Sequence, residues 1–247
     1  MAERTLTALV IGPSGTGKSW LGATTPPPRL IIDLEGRAKY TPAGRQATDW
    51  DGTSDPMGLP KSKSRTYILR TTDLEDVSMA RQWLRSGKHP FKSVTLDSLM
   101  EAQMRAQSDI RPGIQALRPQ DWGMLLRSME DVVRDIRDLT MDPASGVKCV
   151  VAIAGAMLDS EAGFIRPLMS GQITKRVPYW MDLVGYYEKV RLEDGSVQRQ
   201  LWIDQRPEND LEVKDGTDDI ISAFGGCIVS PDFQKMYDAL LPEPDAA

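Results

Sequence analysis

The amino-acid sequence predicts an α/β fold: a mostly parallel central sheet flanked by helices, with an antiparallel hairpin toward the C-terminus. Three observations carry this. The apolar run Leu6-Thr7-Ala8-Leu9-Val10-Ile11 leads directly into Gly12-Pro13-Ser14-Gly15-Thr16-Gly17-Lys18-Ser19, the order of a buried parallel strand, a glycine-rich turn and a helix start. Further short apolar runs alternate with longer amphipathic stretches, the rhythm of parallel strands joined by crossover helices. Asp194-Gly195 stands between two β-rich segments, where its tolerance of positive φ suits a tight hairpin turn.

Taken in order, Leu6 to Ile11 is apolar enough for a strand buried on both faces. The helix after it begins near Gly17 and ends by Thr25, because Pro26-Pro27-Pro28 removes backbone donors and pushes the preceding residue out of the α region. Leu30-Ile31-Ile32-Asp33 reads as a second strand. Residues 36–64 are rich in Gly, Pro, Ser, Thr and Asp without a sustained period, and read as a long loop or insertion. Thr66 to Leu69 reads as a strand, Leu74 to Leu84 as a helix, Ser93 to Asp97 as a strand and Leu99 to Gln107 as a helix. Prolines break the stretch from Arg111 to Pro119, and Asp121 to Leu139 has the spacing of a long amphipathic helix with Asp121 as its N-cap. Lys148 to Ala154 is the next buried strand, Val184 to Leu192 and Gln198 to Ile203 are the hairpin arms, and Pro231 to Leu241 closes as a short helix. The expected organisation is a single domain over residues 1–241 with a frayed tail at 242–247.

Hydrophobic residues at 40% and charged residues at 26% suffice to bury a core, which excludes global disorder. No apolar run approaches the roughly 18 residues that span a bilayer, and Met1-Ala2-Glu3-Arg4-Thr5 lacks a signal-peptide pattern, so the expectation is no membrane partner and a cytoplasmic location, the host cytoplasm if the chain is phage-encoded. Cys149 and Cys227 are too few for a disulfide framework and with the single histidine, His89, make no metal cluster; the two cysteines are expected in the core, as are Trp180, Tyr186, Tyr187 and Trp202. The net charge of -5 is unevenly spread: residues 61–92 carry eight basic side chains against three acidic ones, and the chain from Asp204 onward carries eleven acids against three bases.

Gly12 to Ser19 satisfies G-x-x-x-x-G-K-[ST] in the context of a strand followed by a helix, which defines a P-loop. Its glycines let successive N–H groups and the helix N-terminus face phosphate oxygens; Lys18 is expected to reach the β and γ oxygens of ATP, and Ser19 to ligate Mg2+. A second magnesium-side carboxylate belongs at the end of a neighbouring strand, and Asp97 in Val94-Thr95-Leu96-Asp97 supplies it. Hydrolysis also needs a group that orients the attacking water; Glu35 is the candidate base, on the same side as Asp33 if that strand continues. Tyr40 is a candidate for stacking on adenine.

The order of P-loop, Ile32-Asp33-Leu34-Glu35-Gly36, Leu96-Asp97-Ser98, a long helix and the strand Val150 to Ala154 resembles the RecA-type recombinase core. Together with chain size and Pro178-Tyr179-Trp180-Met181-Asp182, it is similar to the compact phage ATPases of the RecA-like single-strand annealing class, the fourth Sak group. The resemblance spans roughly residues 5 to 230. It implies a RecA-like P-loop core, catalysis by Glu35 and Lys18, and a late lysine, Lys214, that reaches a neighbouring subunit's phosphate. It further implies a first DNA loop between Ser108 and Asp121 with Arg111 and Arg118, and a second between Gly155 and Arg176 with Arg166, Lys175 and Arg176. One departure is plain: Ala154-Gly155 is apolar where the family places a polar sensor.

The function so implied is DNA-stimulated, magnesium-dependent ATP hydrolysis by a homo-oligomer, ring or filament, that promotes annealing or strand exchange on single-stranded DNA, with a single-strand binding protein as a further partner. Two other classes fit the P-loop: a kinase of a small metabolite, with residues 155–176 as an arginine-bearing lid, and a nucleotide-gated binding module that hydrolyses little.

Overall fold

Apolar runs bounded by glycine, proline or aspartate become strands, and the amphipathic stretches between them become the helices that cover the sheet. The computed structural model describes residues 4–113, 116–206 and 210–240. The first half of the chain contains β1 (Leu6–Ile11), α1 (Lys18–Gly22), β2 (Arg29–Asp33), β3 (Thr48–Trp50), β4 (Thr66–Arg70), α2 (Leu74–Ser86), β5 (Ser93–Asp97), α3 (Leu99–Ile110), α4 (Asp121–Arg137) and β6 (Cys149–Ala154). The second half continues with β7 (Ala156–Asp159), β8 (Phe164–Pro167), α5 (Ile173–Trp180), β9 (Leu183–Arg191), β10 (Val197–Trp202), β11 (Asp210–Leu211), β12 (Lys214–Asp215), α6 (Asp219–Phe224), β13 (Cys227–Val229) and α7 (Phe233–Ala239).

Among the described residues ten strands form one sheet in the order β13-β10-β9-β1-β6-β5-β2-β4-β3, with β12 also on β9. From β9 to β3 every pairing along this path is parallel, and β10, β12 and β13 join antiparallel. This is an α/β fold with a mostly parallel central sheet flanked by helices and an antiparallel edge. β1 alternates between two cores: Leu9 and Ile11 pack with Leu125, Met129 and Val177 from α4 and α5, while Ala8 and Val10 pack with Leu21, Phe233 and Met236 from α1 and α7. Burial on both faces explains the unbroken apolar run. Register aligns the carboxyl ends: Ile11 pairs with Ala154, Ile153 with Asp97 and Asp97 with Asp33, so the P-loop, Asp97 and the end of β2 emerge along one edge.

Three expectations are corrected. Residues 36–64 are not merely a loop, since β3 adds a parallel edge strand to β4 and Trp50 packs its ring 5.7 Å from that of Phe91. A three-residue strand has no period to read. Asp121 opens α4 as its first helical residue and not as its N-cap; its buried carboxylate accepts from the Arg118 N–H at 2.8 Å and from Arg111 Nε at 2.7 Å. These bonds, the backbone N–H first, hold its pKa below the usual carboxylate value. Residues 155–176 fold as the β7–β8 hairpin, joined by β11 in a small second sheet, and run into α5. Asp159 accepts from the N–H groups of Glu161 and Ala162, and Gly163 takes φ 79, a turn chemistry that closes the hairpin.

His89 is buried and stacked on Phe91, with burial lowering its pKa. Cys149 is buried and Cys227 half-buried, both free. Among the described residues no helix is long and apolar enough to cross a membrane. The expected tail lies outside the described residues, as do residues 114–115 of the first expected DNA loop.

Candidate nucleotide site

The P-loop joins β1 to the short α1, and its backbone has glycine where glycine is required. Gly15 and Gly17 take φ 77 and 102, and a Cβ on Gly12 would lie 2.1 Å from the Tyr187 carbonyl oxygen on β9. Lys18 folds across the loop, donating from Nζ to the carbonyls of Gly12 and Pro13 at 2.8 Å each. Burial lowers its pKa, opposed by the nearby charges of Asp97 and Glu35. The hydroxyl of Thr16 donates to Pro13 O at 3.1 Å and tightens the turn. Pro13, Ser14 and Ser19 line the same cleft, a cavity of about 460 Å³, within the range of small-ligand sites.

Asp97 ends β5 only 2% exposed. Burial pushes its pKa up to about 6; the Ser19 hydroxyl bond and Lys18 oppose the rise, and Glu35 and Asp33 add to it. Its Oδ2 is buried without a hydrogen-bond partner. A carboxylate oxygen left unpaired beside a serine hydroxyl is a hard-oxygen donor set, which fits Mg2+ held by Ser19 and Asp97.

Asp33 and Glu35 separate in role because β2 stops at Asp33. Fully buried, Asp33 accepts from the N–H groups of Arg37 (3.1 Å) and Ala38 (2.9 Å) and so caps the following turn. Glu35 instead faces the cleft: Ser98 Oγ donates to its Oε1, and Arg37 Nε stands 3.4 Å from its Oε2. Ser98 also caps α3 through the Glu101 N–H, so one residue after Asp97 orients the carboxylate across the cleft. Tyr40 lines the mouth, 61% exposed, with Lys39 Nζ 5.1 Å from its ring centroid. Ala154 and Gly155 line the opposite wall beside Leu168, an apolar surface with no polar sensor on it.

Other expected residues stand elsewhere. Lys214 pairs with Val184 on β9, near Asp182, with its pKa lowered by burial, and is not among the residues that line the cleft. Arg166 is buried, ion-paired with Asp159 at 2.8 Å and within 3.6 Å of Glu212, its guanidinium 4.3 Å from the centre of the Phe164 ring. That side chain holds the small sheet together and is not presented to a phosphate backbone, a correction to its expected DNA role. Arg111 is likewise engaged by Asp121. Arg118, Lys175 and Arg176 are exposed, the last ion-paired with Glu130.

Sequence reasoning missed Arg37, Trp20 and Arg199, which also line the cleft. Arg37 stands two residues after the Glu of the Asp-x-Glu segment and could have been found there. Arg199 carries no signal in Val-Gln-Arg-Gln-Leu-Trp; only the pairing of β10 with β9 brings it to the loop.

A P-loop on the central strand of a parallel sheet, with a buried carboxylate two strands away, defines a P-loop ATPase, a nucleotide-binding protein. Comparison agrees on the family: the AAA domain matches residues 4–211, and the chain belongs to that family. Comparison with curated proteins found no match. Among solved structures, a KaiC-like protein from the hyperthermophilic archaeon Pyrococcus horikoshii OT3 is similar at a TM-score of 0.45 and 16% identity, over 92% of this chain and 89% of that one.

Proposed function

We propose that this chain is a magnesium-dependent ATPase whose hydrolysis is coupled to single-stranded DNA, in the manner of the compact phage annealing ATPases. One observation carries the hydrolytic part: Glu35 is held by Ser98 across the cleft from Lys18 and from the orphaned Oδ2 of Asp97. In this reading Gly12 to Ser19 cradle the phosphates, Lys18 neutralises the β and γ oxygens, Ser19 and Asp97 hold Mg2+, and Glu35 accepts the proton of the attacking water. Bound magnesium supplies charge neutralisation across the phosphate oxygens.

The DNA part is supported by α5, where Lys175, Arg176 and the 81% exposed Tyr179 share one outward surface. A cation pair beside an exposed ring suits a strand with charged backbone and stackable bases. Arg118 is a further exposed cation in this reading. The kinase alternative, with residues 155–176 as an arginine-bearing lid, draws less support, because Arg166 is buried in ion pairs and the exposed Arg176 lies on α5 beside Glu130. Lys214 is assigned a role across a subunit interface, since it is remote from its own cleft. The test is ATP turnover with and without single-stranded DNA: stimulation in the wild type, absent in Lys18→Ala, supports the reading, and turnover indifferent to DNA sinks the coupling.

A further inference from the structure

The geometry points to Arg199 as a nucleotide-binding residue that holds the α- and β-phosphate end of the ligand, opposite the hydrolytic carboxylates. This rests on the reading of Gly12 to Ser19 as a nucleotide site.

Arg199 lies on β10, paired with Lys189 of β9, and its Nε donates to the Thr16 carbonyl at 3.2 Å. A Cβ on Gly17 would lie 3.1 Å from that Nε, and the guanidinium carbon stands 5.5 Å from the centre of the Trp20 ring. The side chain is therefore fixed against the outer wall of the loop and the first turn of α1. Only Nε is engaged: among the described residues neither terminal nitrogen has a hydrogen bond and no carboxylate pairs with the guanidinium. Arg37, Arg111 and Arg166, by contrast, all have acidic partners. A half-buried guanidinium that lines a cleft without a carboxylate is built to receive an anion from outside the chain, because its remaining donors are aimed by the one bond that fixes it.

The strand order decides which part of the ligand it meets. Asp97 and Glu35 come from β5 and from the turn after β2, on one side of β1, while Arg199 comes from β10, two strands away on the other. With Lys18 between them, the terminal phosphate points toward the carboxylates and the inner phosphates toward Arg199 and Trp20. Arg199 thus contributes equally to ADP and ATP, and its effect falls on affinity and not on the chemical step.

The experiment measures ADP and ATP affinity and saturated turnover for wild type, Arg199→Ala, Arg199→Gln and Arg199→Lys, with melting temperature as the check on folding. Arg199→Ala is expected to weaken ADP and ATP by the same factor, about 10- to 100-fold, the worth of a charge-assisted bond to phosphate, while saturated turnover stays within a few-fold. Lysine is expected to recover part of the affinity and glutamine none of it. Unchanged ADP affinity in Arg199→Ala, or a loss confined to ATP, overturns the assignment. Full recovery by glutamine also overturns it, since an uncharged donor suffices to hold Thr16. Failure of the wild-type chain to bind either nucleotide overturns the P-loop reading as well, which separates the two outcomes.

Discussion

At the scale of single residues, the cleft divides its carboxylates by environment. Asp33 serves backbone N–H groups, Asp97 is desolvated, and Glu35 is aimed by Ser98 while remaining open to the cleft. Glu35→Gln is therefore expected to keep ATP affinity and slow turnover by roughly 10² to 10⁴, the worth of a positioned general base; loss of affinity with normal turnover of bound nucleotide would remove the role. Asp97, whose pKa rises from 3.8 to about 6, binds its proton more tightly in the folded chain than in the unfolded one. Stability from that proton is present below the unfolded value and is lost as pH rises through about 6, at a cost of roughly 3 kcal/mol by neutral pH. Asp97→Asn is accordingly expected to melt higher than wild type at pH 7.5 without magnesium, with the gap about halved at pH 5 and closed only below about pH 4. Added Mg2+ should stabilise the wild type at pH 7.5 and leave Asp97→Asn unchanged. A variant that melts lower at pH 7.5, or one that magnesium stabilises equally, contradicts the account.

Elements determine which cations can meet a partner. The β7–β8 hairpin draws Arg166 inward against Asp159 and Glu212, whereas α5 turns Lys175, Arg176 and Tyr179 outward. Neutralising Lys175 and Arg176 together is expected to weaken single-strand binding and to reduce the slope of log affinity against log salt by about 1.4, at about 0.7 per lost phosphate contact. Replacing Arg166 instead is expected to lower the melting temperature through the buried partners it abandons. A salt slope unaltered by the double change would return α5 to ordinary surface.

For the whole molecule, the sheet sets the distances between working parts. β12 takes the early part of the β9 edge and β10 the later part, so Lys214 stands away from the cleft that Arg199 enters. If Lys214 serves a neighbour's phosphate, mixed oligomers of Lys214→Ala and Lys18→Ala subunits should regain part of the ATPase activity that each lacks alone, because some interfaces then pair an intact P-loop with an intact lysine. Turnover that never exceeds the sum of the two separate variants, at any mixing ratio, excludes that role.

The P-loop and the strands β1, β2, β4, β5 and β6 were legible from residue order, because burial on both faces demands unbroken apolar runs and a phosphate loop demands glycine at fixed spacing. Asp97 followed from the same logic, being the last residue of such a run. The sequence by itself thus determined the class of site and where the P-loop lies. Tertiary structure alone decided what each arginine meets, since no local pattern around Arg166 (Phe-Ile-Arg-Pro-Leu), Arg176 (Thr-Lys-Arg-Val-Pro) or Arg199 (Val-Gln-Arg-Gln-Leu) specifies its partner. A hairpin buries the first against two acids, a helix face exposes the second, and strand pairing delivers the third to a loop more than 180 residues away in sequence. Charge is local in sequence, but what a charge meets is set by long-range pairing, which no short pattern encodes.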